Sequence, residues 1–200
     1  WMRTSGGEAV QLTRHDTGIA QYVWSADSSR IFFRATNKRP DAEQKAIDAK
    51  DDLIAVDEGP NGQERAYWNS LWVFDVATKA ETRLTTEDLM ISAFDPSPDG
   101  ARIVYVARKT NRRNDADRNE IYIVNVADKL TVRLTDNSAP EGGVSWAPDG
   151  SVVLFTASDD KEGKNRNTKL YLMDPNSRSY HLLSDEYEGG ISNPVWTPDC

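Results

Sequence analysis

The sequence lacks the cysteine pairs that stabilise many small secreted domains. It has one cysteine, Cys200, so the chain can form no internal disulfide. Cys200 also shows no metal-ligand spacing with His15 or His181, the two histidines of the chain. These absences argue against a Cys/His metal site, and we expect neither a metal nor a cofactor. The cysteine content leaves the redox compartment open.

Long apolar runs are absent as well. No stretch approaches the roughly 20 residues that a membrane-spanning helix needs, so we expect no membrane span. The start at Trp1 is unlike that of a complete gene product and is compatible with removal of a signal peptide. We therefore expect the bacterial periplasm or the exterior as the location, rather than the cytoplasm.

Positive charge is in the minority. The chain has 24 Lys and Arg against 32 Asp and Glu, with a net charge of -8 and a pI near 4.8. Its basic residues are scattered, which argues against nucleic acid or an anionic membrane as the main partner. A hydrophobic content of 38% is enough to bury a core, so the chain is globular and suits a neutral or cationic ligand better.

An internal repeat sets the architecture. The segments "YVWSADSSRIFFRA", "FDPSPDGARIVYVA", "VSWAPDGSVVLFTA" and "PVWTPDC" align on an aspartate, at spacings of 72, 50 and 50 residues. The aligned aspartates are Asp27, Asp99, Asp149 and Asp199. Downstream positions keep register and are rich in β-branched and aromatic residues, which predicts strands.

Each repeat predicts four strands. The first ends near a tryptophan, a Pro-Asp-Gly hairpin follows, the third carries "LWVFDV", "IYIVNV" or "LYLMDP", and the fourth ends in "RLT" or "LLS". The recurring tryptophans, which we expect in the core, are Trp24, Trp146 and Trp196. Units of about 50 residues are typical of β-propeller blades, whereas a β-sandwich would not explain the fixed register. The predicted fold class is an all-β, partial β-propeller of four-stranded antiparallel blades.

Residues 1–200 are predicted to form a single propeller segment, which is divided into blades. Closed propellers need four to eight blades, so we expect this chain to be an excerpt from a larger one. The predicted parts are the end of a blade at 1–13, a blade at 14–85 with a charged insertion at 37–69, blades at 86–135 and 136–184, and the start of another at 185–200.

Ser145 invites comparison with the nucleophile elbow of serine hydrolases, because it follows Gly142 and Gly143. An elbow needs a strand, a sharp turn and a helix, but the segment after Ser145 predicts a second strand. Its counterparts in the other repeats are Val23, Asp95 and Val195. We therefore predict no catalytic residue in this chain.

Predicted loops are elaborate on one face only. Connections between second and third strands are long, while hairpins such as "SPDG" are short, so we expect a partner or substrate on the long-loop face. The insertion predicts a helix with Asp41 as N-cap and Glu43 in its first turn, followed by a strand at "LIAV". Its charge fits a solvated loop, or alternatively a contact with another domain.

Three polar groups could bind ligands. Asp115, Asp117 and Asn119 have calcium-loop spacing, but Glu120 and Val126 replace the glycine and glutamate of that loop, which favours local hydrogen bonding. The connector "SDEYEGG" carries two glutamates that could hold an amine, although a solvated connector explains them as well. These are Glu186 and Glu188. The two histidines show no positioned acid and serine.

The units "WSADSSRIFF", "SPDGARIVYVA" and "WAPDGSVVLFTA" resemble the WD40-like blades of the TolB-type propeller superfamily. The block "AEQKAIDAKDDLIAVDE" followed by "LWVFDVATKAETRLT" resembles the amino-terminal propeller of the S9, or prolyl oligopeptidase, family of serine peptidases. It is most similar to the acylaminoacyl peptidase and dipeptidyl peptidase type. The resemblance covers nearly the whole chain and departs at Pro96, where a tryptophan is expected, and at Cys200.

The resemblance implies a role as a hydrolase accessory. In that family the propeller caps a carboxy-terminal α/β-hydrolase domain with a Ser, Asp and His triad, and admits short or unfolded peptides. None of those residues transfers, because this chain has no matching domain. In dipeptidyl members propeller glutamates bind the substrate amino terminus, but Glu186 and Glu188 do not match that pattern well enough for transfer.

Three hypotheses of function follow. The leading one is a non-catalytic propeller segment that gates and positions short peptides for a hydrolase domain of the same polypeptide. The alternative is a TolB-like periplasmic propeller that binds proteins and has no catalytic domain. The third is a carbohydrate or lyase propeller with a metal in its central channel.

Overall fold

Twelve strands form three four-stranded antiparallel sheets in the computed structural model, which describes residues 2, 5–49, 67–136, 139–158 and 167–197. The first sheet contains β1 (Ile19–Trp24), β2 (Arg30–Thr36), β3 (Asn69–Asp75) and β4 (Glu81–Arg83). The second contains β5 (Met90–Pro96), β6 (Arg102–Arg108), β7 (Glu120–Asn125) and β8 (Thr131–Arg133). The third contains β9 (Glu141–Trp146), β10 (Val153–Ser158), β11 (Thr168–Met173) and β12 (Tyr180–Leu182).

The sheets stack face to face in chain order. In β6, Tyr105 and Ala107 pack towards the first sheet, while Val104 and Val106 pack towards the third. This alternation follows from the two-residue period of a strand. Because both faces of the central sheet are covered, nearly all residues of its two middle strands, β6 and β7, are buried. The predicted partial propeller of four-stranded blades is confirmed.

The aspartates of the repeat hold the hairpins between the first two strands. Each accepts a hydrogen bond from the backbone N–H two residues later, at 2.9 to 3.0 Å; they are Asp27, Asp99 and Asp149. Gly100 and Gly150 follow with φ of 64° and 73°, and Ser28 takes the same left-handed conformation at 59°. The predicted use of glycine at this turn is confirmed.

The "RLT" and "LLS" endings have a shared structural role. A hydroxyl accepts a hydrogen bond from a backbone N–H near the start of the third strand in each of the three blades, at 2.8 to 3.1 Å. The pairs are Thr85 with Leu71, Thr135 with Ile121, and Ser184 with Leu170. The preceding leucine continues the strand ladder, which explains why the pattern recurs.

Tryptophan burial departs from expectation. Trp146 is 4% exposed and packs between the second and third sheets, as predicted, whereas Trp24 is 38% exposed. The prediction is wrong for Trp24 because no described sheet covers that face of the first sheet, where only Leu12 adds apolar contact from the preceding segment. Trp196 is half-buried.

The flanking segments contain no strand in the part that the structure describes, residues 5–13 and 185–197. The end of a blade would pair with the third strand of that blade, and the start of a blade with its second strand; the described residues include neither partner. That these segments belong to further blades stays a prediction.

The insertion begins with the predicted helix, α1 (Asp41–Asp48). The backbone N–H of Gln44 donates to the carbonyl of Pro40 at 3.0 Å, so Pro40 stands at the cap position and the predicted cap at Asp41 is wrong by one residue. Proline is tolerated there because the N–H that it lacks would have no intrahelical partner at the start of a helix. Glu43 lies in the first turn, as predicted. The strand predicted at "LIAV" lies outside the described residues.

Candidate functional site

The long connections lie on one face of the sheets. Antiparallel order places the β2–β3 and β6–β7 loops together with the connectors between sheets, and places every short hairpin opposite them. The tip of the β10–β11 loop, residues 159–166, lies outside the described residues. The elaborated face therefore contains residues 37–49, 67–68 and 109–119.

The base of the insertion is closed by contacts between its two ends. The backbone N–H of Asn37 donates to the carbonyl of Trp68 at 2.7 Å. The Arg39 guanidinium lies 3.5 Å from the centre of the Tyr67 ring, and the Tyr67 hydroxyl donates to Glu43 at 2.8 Å. Burial first, and then the hydrogen bond with Glu43, raise the pKa of Tyr67. The insertion is thus anchored to the first blade.

A polar cavity of about 530 Å³ lies beside this base. Its lining combines charged side chains of both signs with the rings of His15 and Trp72. The lining residues include Arg14, His15, Asp16, Lys38, Trp72, Glu81, Arg83 and Asp88.

His15 is held by an acid, contrary to the prediction that it has none. Its Nδ1 lies 2.7 Å from Glu81 Oε2, and its ring packs edge-on against Phe33 and Trp72 at 5.1 and 4.6 Å. Sequence alone missed the pair because Glu81 is 66 residues away. Among the described residues, the hydroxyl of Thr17, which lines the cavity beside His15, donates to the Thr36 carbonyl at 2.5 Å.

His181 lies apart from that cavity. It is exposed on β12, opposite Leu172 of β11. The structure therefore does not bring the two histidines together.

Ser145 belongs to a strand, a turn and a second strand. It pairs with Leu154 across β9 and β10. The helix that an elbow requires is absent between these strands, which are fully described. The interpretation of Ser145 as a structural residue agrees with this geometry.

Asp95 is a polar residue that sequence reasoning did not single out. Its carboxylate accepts a hydrogen bond from the Trp146 backbone N–H at 2.8 Å and also contacts Ser145. Burial raises the pKa of Asp95 to about 6, against the lowering effect of these hydrogen bonds. The available signal was a carboxylate at a position where other repeats have Val23 and Val195.

In the loop with calcium-like spacing, side chains form hydrogen bonds with one another and with the end of the preceding strand. Thr110 donates to Asp115 at 2.8 Å, and Arg108 donates to the side chain of Asn119 at 3.4 Å. The segment forms a short 3-10 helix, Arg113–Arg118, rather than a coordinating loop. Within the described residues, no cluster of three or more His, Cys, Asp and Glu side chains is arranged to hold a metal.

The two connector glutamates are exposed after β12. The carbonyl of Glu188 accepts a hydrogen bond from the Asn167 side chain at 3.0 Å, while neither Glu186 nor Glu188 lines the cavity around His15. An amine-binding role for them stays untested. Among the described helices, none is long and apolar enough to cross a bilayer.

No family model matches the sequence, and no curated protein matches it. Solved structures do match. TolB from Acinetobacter baumannii aligns over 95% of this chain and 37% of its own, with a TM-score of 0.59 and 17% identity. An oligogalacturonate lyase in complex with manganese aligns over 86% of this chain and 43% of its own, with a TM-score of 0.61 and 12% identity.

Acylaminoacyl peptidase from Pyrococcus horikoshii also aligns, over 83% of this chain and 25% of its own, with a TM-score of 0.52 and 11% identity. The chain thus spans less than half the length of each of these three proteins. At such identities the likeness is one of fold: this chain shares the β-propeller architecture of TolB and of the S9 peptidase propeller.

Proposed function

We propose that this chain is the propeller segment of an S9-family serine peptidase, which gates and positions short peptides for a carboxy-terminal α/β-hydrolase domain. The observation that carries the proposal is the one-sided elaboration. Long connections and an anchored charged insertion occupy one face of a rigid scaffold, and binding commonly resides on such loops. The motif resemblance in the insertion supports the same family.

The chain contributes no chemistry of its own in this proposal. Ser145 lies within a β-hairpin, and no described serine or cysteine lines the cavity beside the His15 and Glu81 pair. Its part is to exclude folded proteins and to orient small substrates, which accelerates a reaction by positioning alone. The insertion base at Asn37 and Trp68 would keep the charged loop at a fixed angle towards the partner domain.

The test uses the protein encoded by the complete reading frame. We expect further blades followed by a Gly-x-Ser-x-Gly segment, and hydrolysis of acylaminoacyl or dipeptidyl chromogenic peptides that disappears when that serine is replaced by alanine. A reading frame that ends after the last blade would contradict the proposal.

The alternative is a TolB-like propeller that binds envelope proteins and has no catalytic domain. It is supported by the match to TolB, which covers more of this chain than the peptidase match does. Co-purification of defined envelope proteins by the complete protein, together with no peptide hydrolysis, would favour it.

A further inference from the structure

Arg83 and Arg133 occupy the same place in successive blades. Each lies on the outermost strand, opposite an aromatic residue of the third strand: Trp72 for Arg83 and Tyr122 for Arg133. Arg133 is neutralised twice, because its Nη2 lies 2.6 Å from Glu120 and 2.8 Å from Asp136.

Arg83 lacks both of these acids. The position of Glu120 is taken by Ser70 in the first blade, and that of Asp136 by Thr86. Arg83 has no ion pair or hydrogen bond with any residue that the structure describes, and its Nε is shielded from solvent without a partner. The Nε1 of Trp72 is likewise shielded from solvent and has no hydrogen-bond partner. Because a ligand cannot reach these two shielded atoms, the binding capacity of Arg83 lies in its two Nη groups, which have no partner among the described residues.

The second blade has a cleft of about 470 Å³ beside Tyr105 and Thr131, the counterparts of Phe33 and Glu81, although Arg133 does not line it. There the first sheet does pack against the second, through residues such as Phe32 and Leu71. Space beside the fourth strand of a blade thus persists where a neighbouring sheet covers the blade.

We propose that the cavity around Arg83 binds the carboxylate of a small ligand. An arginine fork matches a carboxylate in a bidentate geometry, and the two Nη groups of Arg83 are the donors left to take it. Arg14 and Lys38 add positive charge to the lining, whereas one of its three acids, Glu81, is already held by His15.

The remaining acids do not neutralise Arg83. Asp16 and Asp88 are exposed on the cavity rim, and neither forms an ion pair with it. Trp72 adds apolar surface to the lining, so an aromatic or aliphatic group next to the carboxylate suits the site. This inference does not depend on the S9 proposal, since the site lies wholly within the described chain.

The first experiment compares N-acetylphenylalanine with its neutral amide, N-acetylphenylalaninamide, by NMR titration of the protein encoded by the complete reading frame. The reporter is the indole N–H signal of Trp72, assigned with Trp72→Phe. We expect the acid to shift this signal and to bind at least tenfold more tightly than the amide. Equal binding of the two, or no shift at Trp72, would overturn the proposal. Inorganic phosphate is the third titrant, and tighter binding of phosphate would replace the carboxylate assignment by a general anion site.

Variants locate the binding group. Arg83→Gln should weaken binding of the acid at least tenfold, and Arg83→Lys should recover part of it because the charge stays while the fork is lost. The matched control is Arg133→Gln, at the same place in the next blade, which should leave the affinity unchanged. An equal loss in both arginine variants would contradict a site at Arg83.

A second design keeps Arg83 in place and therefore does not risk the fold. Thr86→Asp introduces an acid at the position that Asp136 holds beside Arg133. We expect this internal carboxylate to pair with Arg83 and to compete with the ligand, lowering affinity at least tenfold, while Thr86→Asn leaves it unchanged. Unaltered binding in Thr86→Asp would show that Arg83 is not the receiving group.

Discussion

The carboxylate of Asp95 accepts a hydrogen bond from the backbone N–H of Trp146 at 2.8 Å, which joins the innermost strands of the second and third blades. That N–H lies on the free edge of β9, where the strand ladder provides no partner. The bond thus protects an edge and fixes the spacing of two blades. Burial of the carboxylate opposes this gain and raises its pKa to about 6.

Replacing Asp95 by asparagine should stabilise the protein at neutral pH. The amide oxygen still accepts from Trp146, while the cost of burying a charge disappears. Because the folded pKa lies above the usual 3.8, the contribution of Asp95 is greatest below pH 4 and is lost as the pH rises through about 6. We expect Asp95→Asn to raise the urea midpoint at pH 7.5, with a gain of about 1–3 kcal/mol in the free energy of unfolding, and to match the wild type at pH 4. A variant less stable at pH 7.5 would contradict this account.

The hairpin aspartates should show the opposite pH dependence. Hydrogen bonds from Ser25 and Ser29 lower the pKa of Asp27 to about 2. Its folded pKa lies below the usual value, so its contribution is present above pH 4 and is lost as the pH falls through about 2. We expect Asp27→Ala to lower the melting temperature at pH 7 and to have a much smaller effect near pH 2. Asp185→Ala, at an exposed connector position, is the control.

The Thr or Ser hydroxyl that follows the fourth strand of each blade should contribute to the free energy of unfolding. Thr135 accepts from the buried N–H of Ile121 at 2.8 Å, so Thr135→Val should leave this donor unpaired at a cost of about 1–3 kcal/mol in urea unfolding. Thr135→Ser should retain most of the stability, since Ser184 performs the same task in the third blade. The exposed Thr82→Val is the control, and an equal loss there would exclude a specific role for the hydroxyl.

The Gly-Gly pair before Ser145 serves packing. A Cβ on Gly142 would lie 2.4 Å from the Thr156 hydroxyl, whereas a Cβ on Gly143 would meet nothing within 4 Å. We expect Gly142→Ala to lower stability by about 1–3 kcal/mol and Gly143→Ala to change it far less. Thermal unfolding of the two variants measures the difference. Adding Thr156→Ala to Gly142→Ala should recover part of the loss, and no recovery would contradict the clash.

The repeat made most of the fold predictable. Strand positions followed from two-residue periodicity, and the hairpins from Asp and Gly in a fixed order, because these effects act within a few residues of the chain. The structural role of Ser145 was predictable for the same reason. The cap of α1 was missed by one residue, since both Pro40 and Asp41 suit a helix start.

Only tertiary structure decided how charges are matched. His15 meets Glu81 across 66 residues, Asp95 is buried by the neighbouring blade, and Arg83 lacks the acids that neutralise Arg133. The sequence by itself determined the blades, because local periodicity and turn chemistry act on each repeat separately. The candidate site depended on which distant side chains the stacked sheets bring together, and on how far burial removes them from water, since electrostatic energies change steeply with both.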